Sequence, residues 1–358
     1  MAYKLLIPGP TIVSEETNSQ LIKPLVSHRQ EEFSELYSNL KRNLQKLFNT
    51  HNYVFFVTGS GTCSMEGAVR NVVKNKVLCF SNGEFGNRFI KISRANGLNV
   101  CSVELPYDQP ITADLVDENI KRYNPEAITF VHSETSTGMA NRLDEIAEVL
   151  KNYPDIISIV DAISSAGSYC IDIAKLGVDI LIGASQKGFA CPPGLSFIIC
   201  SKKAVEKARA VPARGFYVDF LNLLAFDEKS QTPFTPAINL FYTLDFKVKK
   251  ILEETIEVRH SRHKKMKEFV RSWARQYFTL FQKDENASDT ITCICNTKNL
   301  NVKELNSYLR KRGFVISDGY GELKGKTFRI GHIGDTQLSD LQQCTQVIED
   351  FMREKKII

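Results

Sequence analysis

The sequence predicts an α/β fold: a mainly parallel sheet covered by helices on both faces, with a smaller α+β unit behind it. Three observations carry this reading. From about residue 50 to about residue 210, short apolar runs rich in β-branched residues alternate with helical patterns, as parallel strands buried on both faces do. After about residue 235 the rhythm changes to a long helical stretch, then to mixed strands and helices. The 358 residues are enough for two such units.

The elements follow in order. Tyr53 to Val57 reads as a strand and Cys63 to Val73 as a helix. Val77 to Phe80 is a strand and Phe85 to Ala95 a helix. Val100 to Leu105, Ala127 to Val131, Ile156 to Val160, Asp179 to Ile182 and Ser196 to Cys200 are further strands, with helices between most of them. Leu240 to Ala274 is a long helical region. A strand at Thr290 to Cys295, a helix at Val302 to Lys311, strands near Phe314 and Phe328 and a last helix at Gln337 to Arg353 complete the chain. The division is expected near residue 240, giving units 1–240 and 241–358.

Composition narrows the function classes. A net charge of +5 over this length is too small to point to nucleic acid. The densest basic stretch, Arg259 to Lys267, lies in a helical pattern and reads as a solvated helix face. The nine cysteines form no framework with zinc-ligand spacing, so no metal is expected; Cys293 and Cys295 read as core thiols of a reducing compartment. No window approaches the roughly 20 apolar residues that span a membrane, and a cytoplasmic protein is expected.

Three motifs carry chemistry. Thr58-Gly59-Ser60-Gly61-Thr62 follows a strand and opens a helix, where glycines admit a ligand to the backbone and free N–H groups attract anions. A phosphate fits this loop; so does a tight turn with a Ser or Thr cap. In Val160-Asp161-Ala162-Ile163-Ser164-Ser165, Asp161 closes a buried strand, where open α/β sheets bind ligands. It reads as a helix cap or as a carboxylate paired with a buried cation. Lys187, in Ser185-Gln186-Lys187-Gly188, follows the next strand and alone would pass for a surface turn. Together the three sit on one sheet edge and supply a phosphate cradle, an acid for a pyridine nitrogen and an imine-forming lysine, the parts that pyridoxal 5'-phosphate (PLP) requires. Two rival motifs fail. A nucleotide P-loop at Gly325-Lys326-Thr327 needs glycine where Tyr320 stands, and a dinucleotide fingerprint from Gly59 needs glycine where Ser64 stands.

Further segments carry a resemblance: Pro8-Gly9-Pro10, Asn82-Gly83-Glu84-Phe85-Gly86, His132-Ser133-Glu134-Thr135-Ser136-Thr137-Gly138, Pro192-Pro193-Gly194 and Phe328-Arg329-Ile330-Gly331. With the three motifs above, and in this order from Pro8 to about Gly334, the chain resembles the class V aminotransferases of PLP fold type I. It is most similar to the alanine/serine–glyoxylate and serine–pyruvate branch, with 2-aminoethylphosphonate–pyruvate aminotransferase near by. The resemblance implies a PLP enzyme that takes a small amino donor and a 2-oxo acid acceptor. It implies Lys187 as the Schiff-base lysine and Asp161 on the pyridine N–H. Ser60, Gly61, Thr62 and Gln186 would bind the cofactor phosphate, and Phe85 would stack on the ring, where this branch often has Trp or Tyr. Thr135 would contact the ring hydroxyl region. Gly9, in an N-terminal segment lining the site, and Arg329, as a carboxylate clamp, would bind substrate. Thr232 and Thr235, in Gln231-Thr232-Pro233-Phe234-Thr235-Pro236, would reach the phosphate of a neighbouring subunit, which implies a homodimer with shared sites.

The chemistry is consistent with those roles. A carboxylate at Asp161 keeps the ring nitrogen protonated. A released Lys187 can move a proton at the substrate α-carbon. Arg329 offers a planar fork for a carboxylate, although a surface salt bridge near Lys324 and Lys326 is its plain alternative. His28 and Arg29 could line the cleft or only cap a turn; His132 and Cys191 read as structural. Among rival activities, a cysteine desulfurase needs a nucleophilic cysteine in the loop from Ser317 to Lys326, which has none. A non-catalytic protein on the same scaffold would have little reason to keep Lys187, Asp161 and Arg329 together.

Overall fold

The computed structural model describes residues 3–358. Strand β1 (Lys4–Leu6) opens the described chain. β2 (Tyr53–Thr58), β3 (Lys76–Ser81), β4 (Asn99–Glu104) and β5 (Ala127–Val131) follow, then a small hairpin of β6 (Ser133–Glu134) and β7 (Met139–Ala140). β8 (Ile157–Asp161), β9 (Ile180–Ala184) and β10 (Leu195–Cys200) complete a sheet of order β2-β10-β9-β8-β5-β3-β4. Only β10 runs antiparallel to its neighbours; the remaining pairs are parallel.

Side chains alternate across this sheet and divide it between two cores. Val54 and Phe56, Leu78 and Phe80, Ile128 and Phe130 point into one; Phe55 and Val57, Val77 and Cys79, Ile157 and Ile159 into the other. The first face is covered by helices Glu31–Leu47 and Ile238–Glu254, through Phe33, Tyr37, Leu40, Phe241, Leu244 and Val248. The second is covered by helix Gly61–Val72 through Met65, Ala68 and Val69, and by helix Glu84–Ala95 through Phe89. Burial on both faces explains why the strands read as continuous apolar runs.

A second sheet has the order β1-β13-β14-β12-β11, from β11 (Thr279–Leu280), β12 (Ile291–Cys295), β13 (Phe314–Asp318) and β14 (Thr327–Gly331). Its core gathers Leu6, Trp273, Ile294, Phe328 and Ile348. Here strand pairing departs from the expected grouping of residue 1 onward with the larger unit. β1 lies parallel to β13, with Leu6 opposite Ile316, so Lys4–Leu6 belongs to the second sheet. A three-residue strand has too short a pattern to reveal its partner. The long helical region is two helices, Ile238–Glu254 and Ile256–Tyr277, broken at Thr255, whose φ of 66° leaves the helical range.

The solvated-face reading of the basic stretch holds for Lys264 and Lys265 but not for its other cations. Arg259 is buried and donates to the Gly167 carbonyl at 2.7 Å and the Gly188 carbonyl at 2.8 Å, while pairing with Glu254 and Asp335. Arg262 pairs with Glu254, and Lys267 with Asp289. Arg259 thus ties its helix to the loop beside Lys187, through a contact distant in sequence. Among the described residues no helix is long and apolar enough to cross a membrane.

Candidate active site

The parallel strands β2, β5, β8 and β9 present their C-terminal ends on one edge, and a cavity of about 290 Å³ opens there. Ser60, Gly61 and Thr62 line it after β2. Asp161 lines it at the end of β8, and Gln186 and Lys187 beyond the end of β9. Gly9, Phe85 and Arg88 complete the wall. Residues far apart in sequence meet because adjacent parallel strands end side by side.

The cradle is built as its composition suggests. Ser60 is the N-cap of helix Gly61–Val72 yet makes no side-chain cap bond, which leaves its hydroxyl for another partner. A Cβ on Gly61 would come 2.3 Å from Ile163 Cδ1, so the absence of a side chain lets the helix start this close to Ile163. Open N–H groups at a helix start favour an anion.

Asp161 and Lys187 face the cavity from neighbouring strands. Asp161 Oδ1 accepts the Ile163 N–H at 2.8 Å, and among the described residues no donor reaches Oδ2. Burial pushes this carboxyl up to about 7, and the Glu134 carboxylate adds to the rise, while the Ile163 N–H, Arg88 and Lys187 pull it back. Burial pushes the Lys187 amine down to about 8, opposed by Asp161 and reinforced by Arg329 and Arg88. Burial thus disfavours the charged form of each group, and their mutual attraction opposes it. Lys187 Nζ donates to the Pro8 carbonyl at 2.6 Å. Gly9 sits against it at a φ of 135°, where a Cβ would come 2.5 Å from Lys187 Cδ. The N-terminal segment therefore touches the lysine directly.

Two further residues were missed in the sequence. Glu134 is fully buried; Oε2 accepts the N–H groups of Phe85 at 2.9 Å and Gly86 at 3.1 Å, and Oε1 accepts from Ser136 N–H and Oγ. Its carboxyl is raised by burial and restrained by those donors. It fixes the start of helix Glu84–Ala95, and so Phe85. Arg88 lies one turn along that helix, with its guanidinium 4.6 Å from the Phe85 ring centroid and Nη1 donating to Thr62 Oγ1 at 3.0 Å. The i, i+3 spacing from Phe85 was the available signal. Tyr320 stacks on Phe85 at 6.1 Å between centroids.

Arg329 stands in β14, outside the cavity wall proper. Nε and Nη2 donate to the Asp318 carbonyl at 3.0 and 2.9 Å, and Nη1 to the Thr135 carbonyl at 2.9 Å. Of the five N–H donors of a guanidinium, one on each terminal nitrogen is left. The salt-bridge alternative does not hold: its partners are backbone carbonyls. Thr135 Oγ1 is buried without a hydrogen-bond partner. His132 is also buried, edge-on to Tyr169 at 4.9 Å, with its imidazole pushed down to about 4 by burial, as suits a structural residue.

Thr232 and Thr235 are not brought to this cavity within the chain; with Thr58, Tyr217 and Phe234 they line a separate small depression. The Thr232 hydroxyl donates to the Phe234 carbonyl at 2.8 Å. Arg29 lies here rather than in the cleft, donating to the Thr232 and Pro233 carbonyls at 2.6 and 2.9 Å.

The family model for aminotransferase class V matches residues 13–322. The chain belongs to the class V aminotransferases. An uncharacterised aminotransferase of Methanocaldococcus jannaschii is 37% identical over 92% of this chain and 87% of its own length. The soluble hydrogenase 42 kDa subunit of Anabaena cylindrica is 33% identical over 98% of this chain and 93% of its own length. The crystal structure of an alanine–glyoxylate aminotransferase from Nostoc sp. superposes with a TM-score of 0.91 at 26% identity, over 97% of this chain and 96% of that one. This aminotransferase therefore has the fold type I architecture and depends on PLP. The site fits that cofactor on its own terms: an uncapped helix start, a carboxyl without a donor on one oxygen, a lysine whose charge burial disfavours and an orphaned Thr135 hydroxyl.

Proposed function

We propose that this class V aminotransferase moves an amino group from a small amino acid, alanine or serine, to glyoxylate or pyruvate. The observation that carries the reading is the convergence of the Ser60–Thr62 cradle, Asp161 and Lys187 on one cavity of about 290 Å³. The likeness to an alanine–glyoxylate enzyme agrees. A non-catalytic role, which the name of the hydrogenase subunit raises, gives no reason for a half-buried lysine and a buried acid to line one cavity.

When bound, PLP supplies the carbon that takes the amino group and the ring that accepts the electrons of the α-carbon. Asp161 holds a proton on the ring nitrogen. Lys187 Nζ would be the base that takes up and hands back the proton of the substrate α-carbon. Ser60, Gly61, Thr62 and Gln186 hold the phosphate, Phe85 covers the ring and Thr135 meets its hydroxyl. Arg329 directs its two remaining N–H groups to the substrate carboxylate, beside Gly9.

Mixing holoenzyme with one amino compound at a time tests the donor. Alanine or serine is expected to shift the visible cofactor band within one half-reaction. A shift with 2-aminoethylphosphonate alone would transfer the assignment to the phosphonate enzymes.

We also propose a homodimer with shared sites in the cytoplasm. Thr235 is exposed, and beside it Phe216 and Tyr217 are 78% and 44% exposed, with Phe234 packed between them at 5.4 and 5.1 Å. Such an aromatic patch suits a covered two-fold interface. The nine free cysteines fit a reducing compartment. Light scattering at micromolar concentration should give twice the 40.5 kDa chain mass. Thr235→Ala should weaken PLP binding by about 10-fold, the value of a hydrogen bond to a charged group. A fully active monomer would refute the sharing.

A further inference from the structure

We propose that Arg88 is the counter-ion of the cofactor phosphate, completing the cradle that Ser60, Gly61 and Thr62 begin. The inference rests on reading that cradle as the phosphate site. Among the residues lining the cavity, two carry positive charge, Lys187 and Arg88. Lys187 is committed to the cofactor's aldehyde carbon, so the dianionic phosphate carried on the adjacent ring carbon is left with Arg88. The guanidinium is already placed: Nη1 donates to Thr62 Oγ1 at 3.0 Å, at the opening of helix Gly61–Val72, and its plane rests on Phe85. Among the described residues no carboxylate lies within salt-bridge distance of it. Other half-buried arginines of this chain, such as Arg214 and Arg262, have such a partner. One hydrogen bond and one ring contact leave four N–H donors. A half-buried cation with spare donors and no ion-pair partner, at the edge of an uncapped helix start, is a site for an anion.

The anion could instead be a substrate carboxylate. The position decides for phosphate: Arg88 is bound to a residue of the cradle itself, whereas Arg329 holds its spare donors next to Thr135. Arg88 also links the two cofactor contacts, since the side chain that meets the phosphate loop stacks on the ring that covers the cofactor.

The test is a titration of apo-protein with PLP and with pyridoxal, which lacks the phosphate, read by the visible band. Wild type should bind PLP far more tightly than pyridoxal; equal affinities would sink the cradle reading itself and leave the imine chemistry standing. Arg88→Leu should weaken PLP by roughly 10- to 100-fold, as expected for lost charge-assisted hydrogen bonds, and leave pyridoxal within about threefold, a change too small to matter on the same scale. Arg88→Gln, which can keep the bond to Thr62, should show the same selective loss and serves if the leucine variant does not fold. Arg88→Lys should recover part of the PLP affinity. Equal losses for PLP and pyridoxal would overturn the proposal in favour of a role through Phe85. Unchanged PLP affinity with a raised KM for the amino acid would overturn it in favour of substrate binding.

Discussion

Lys187→Ala is expected to bind PLP without covalent attachment and to lose transamination by about 10³-fold or more, within the range for removing a positioned acid–base group. Among the described residues Lys187 is the one lysine lining the cavity, so no neighbour can take over the bond or the proton transfer. In wild type, borohydride should fix the cofactor to the peptide that contains Lys187. The pH dependence adds an independent reading. Burial lowers the amine to about 8, and only the neutral amine attacks an aldehyde. Attachment of PLP to apo-protein should therefore speed up with rising pH and level off above about 8, well below the range of a solvated lysine. A purely structural Lys187 would show no such profile. Label on another lysine, or normal turnover in the alanine variant, would remove the central assignment.

The large sheet was legible in the sequence because its strands are buried on both faces: Ala127–Val131 and Ile157–Asp161 are short, mostly apolar and rich in β-branched residues. Some strand ends were legible too: Gly59 directly follows β2 and Asp161 closes β8. What stayed hidden depended on contacts distant in sequence. Lys4–Leu6 joins the second sheet through β13, and three residues have no periodicity to show it. Arg259 looked like one of several solvated cations, and only the meeting of its helix with the Gly167 and Gly188 carbonyls buries it. Glu134 and Arg88 follow the same rule. Glu134 lies in a polar stretch that reads as a loop, yet the fold carries it beneath the start of another helix, where it accepts the Phe85 and Gly86 N–H groups. Arg88 resembles any helix arginine until Thr62 is placed opposite it. The resemblance identified Arg329, Thr232 and Thr235 without their surroundings. Of these, Arg329 turns out to be anchored from both units, by Asp318 and Thr135.

Asp161→Asn is expected to fold and bind PLP but to turn over at least ~100-fold more slowly, the scale of removing one aimed electrostatic group. The carboxyl is raised to about 7 in the protein alone, because burial penalises its charge. A protonated ring nitrogen beside Oδ2 reverses that balance, since an opposite charge in contact favours the carboxylate. In the proposed role the pair would form together: the ring nitrogen would keep its proton because Asp161 is charged, and Asp161 would be charged because the proton is there. An amide can accept a hydrogen bond but cannot supply the charge, so the nitrogen loses its proton and the ring no longer draws electrons from the α-carbon. The Ile163 N–H bond to Oδ1 can be kept by the amide oxygen, so the loop should hold its shape. The readout follows from this argument. The kcat of Asp161→Asn should fall while the melting temperature of the apo-protein stays near that of wild type, and exchange of the substrate α-proton should slow in parallel with turnover. Near wild-type exchange in that variant would make Asp161 a structural residue at the end of β8.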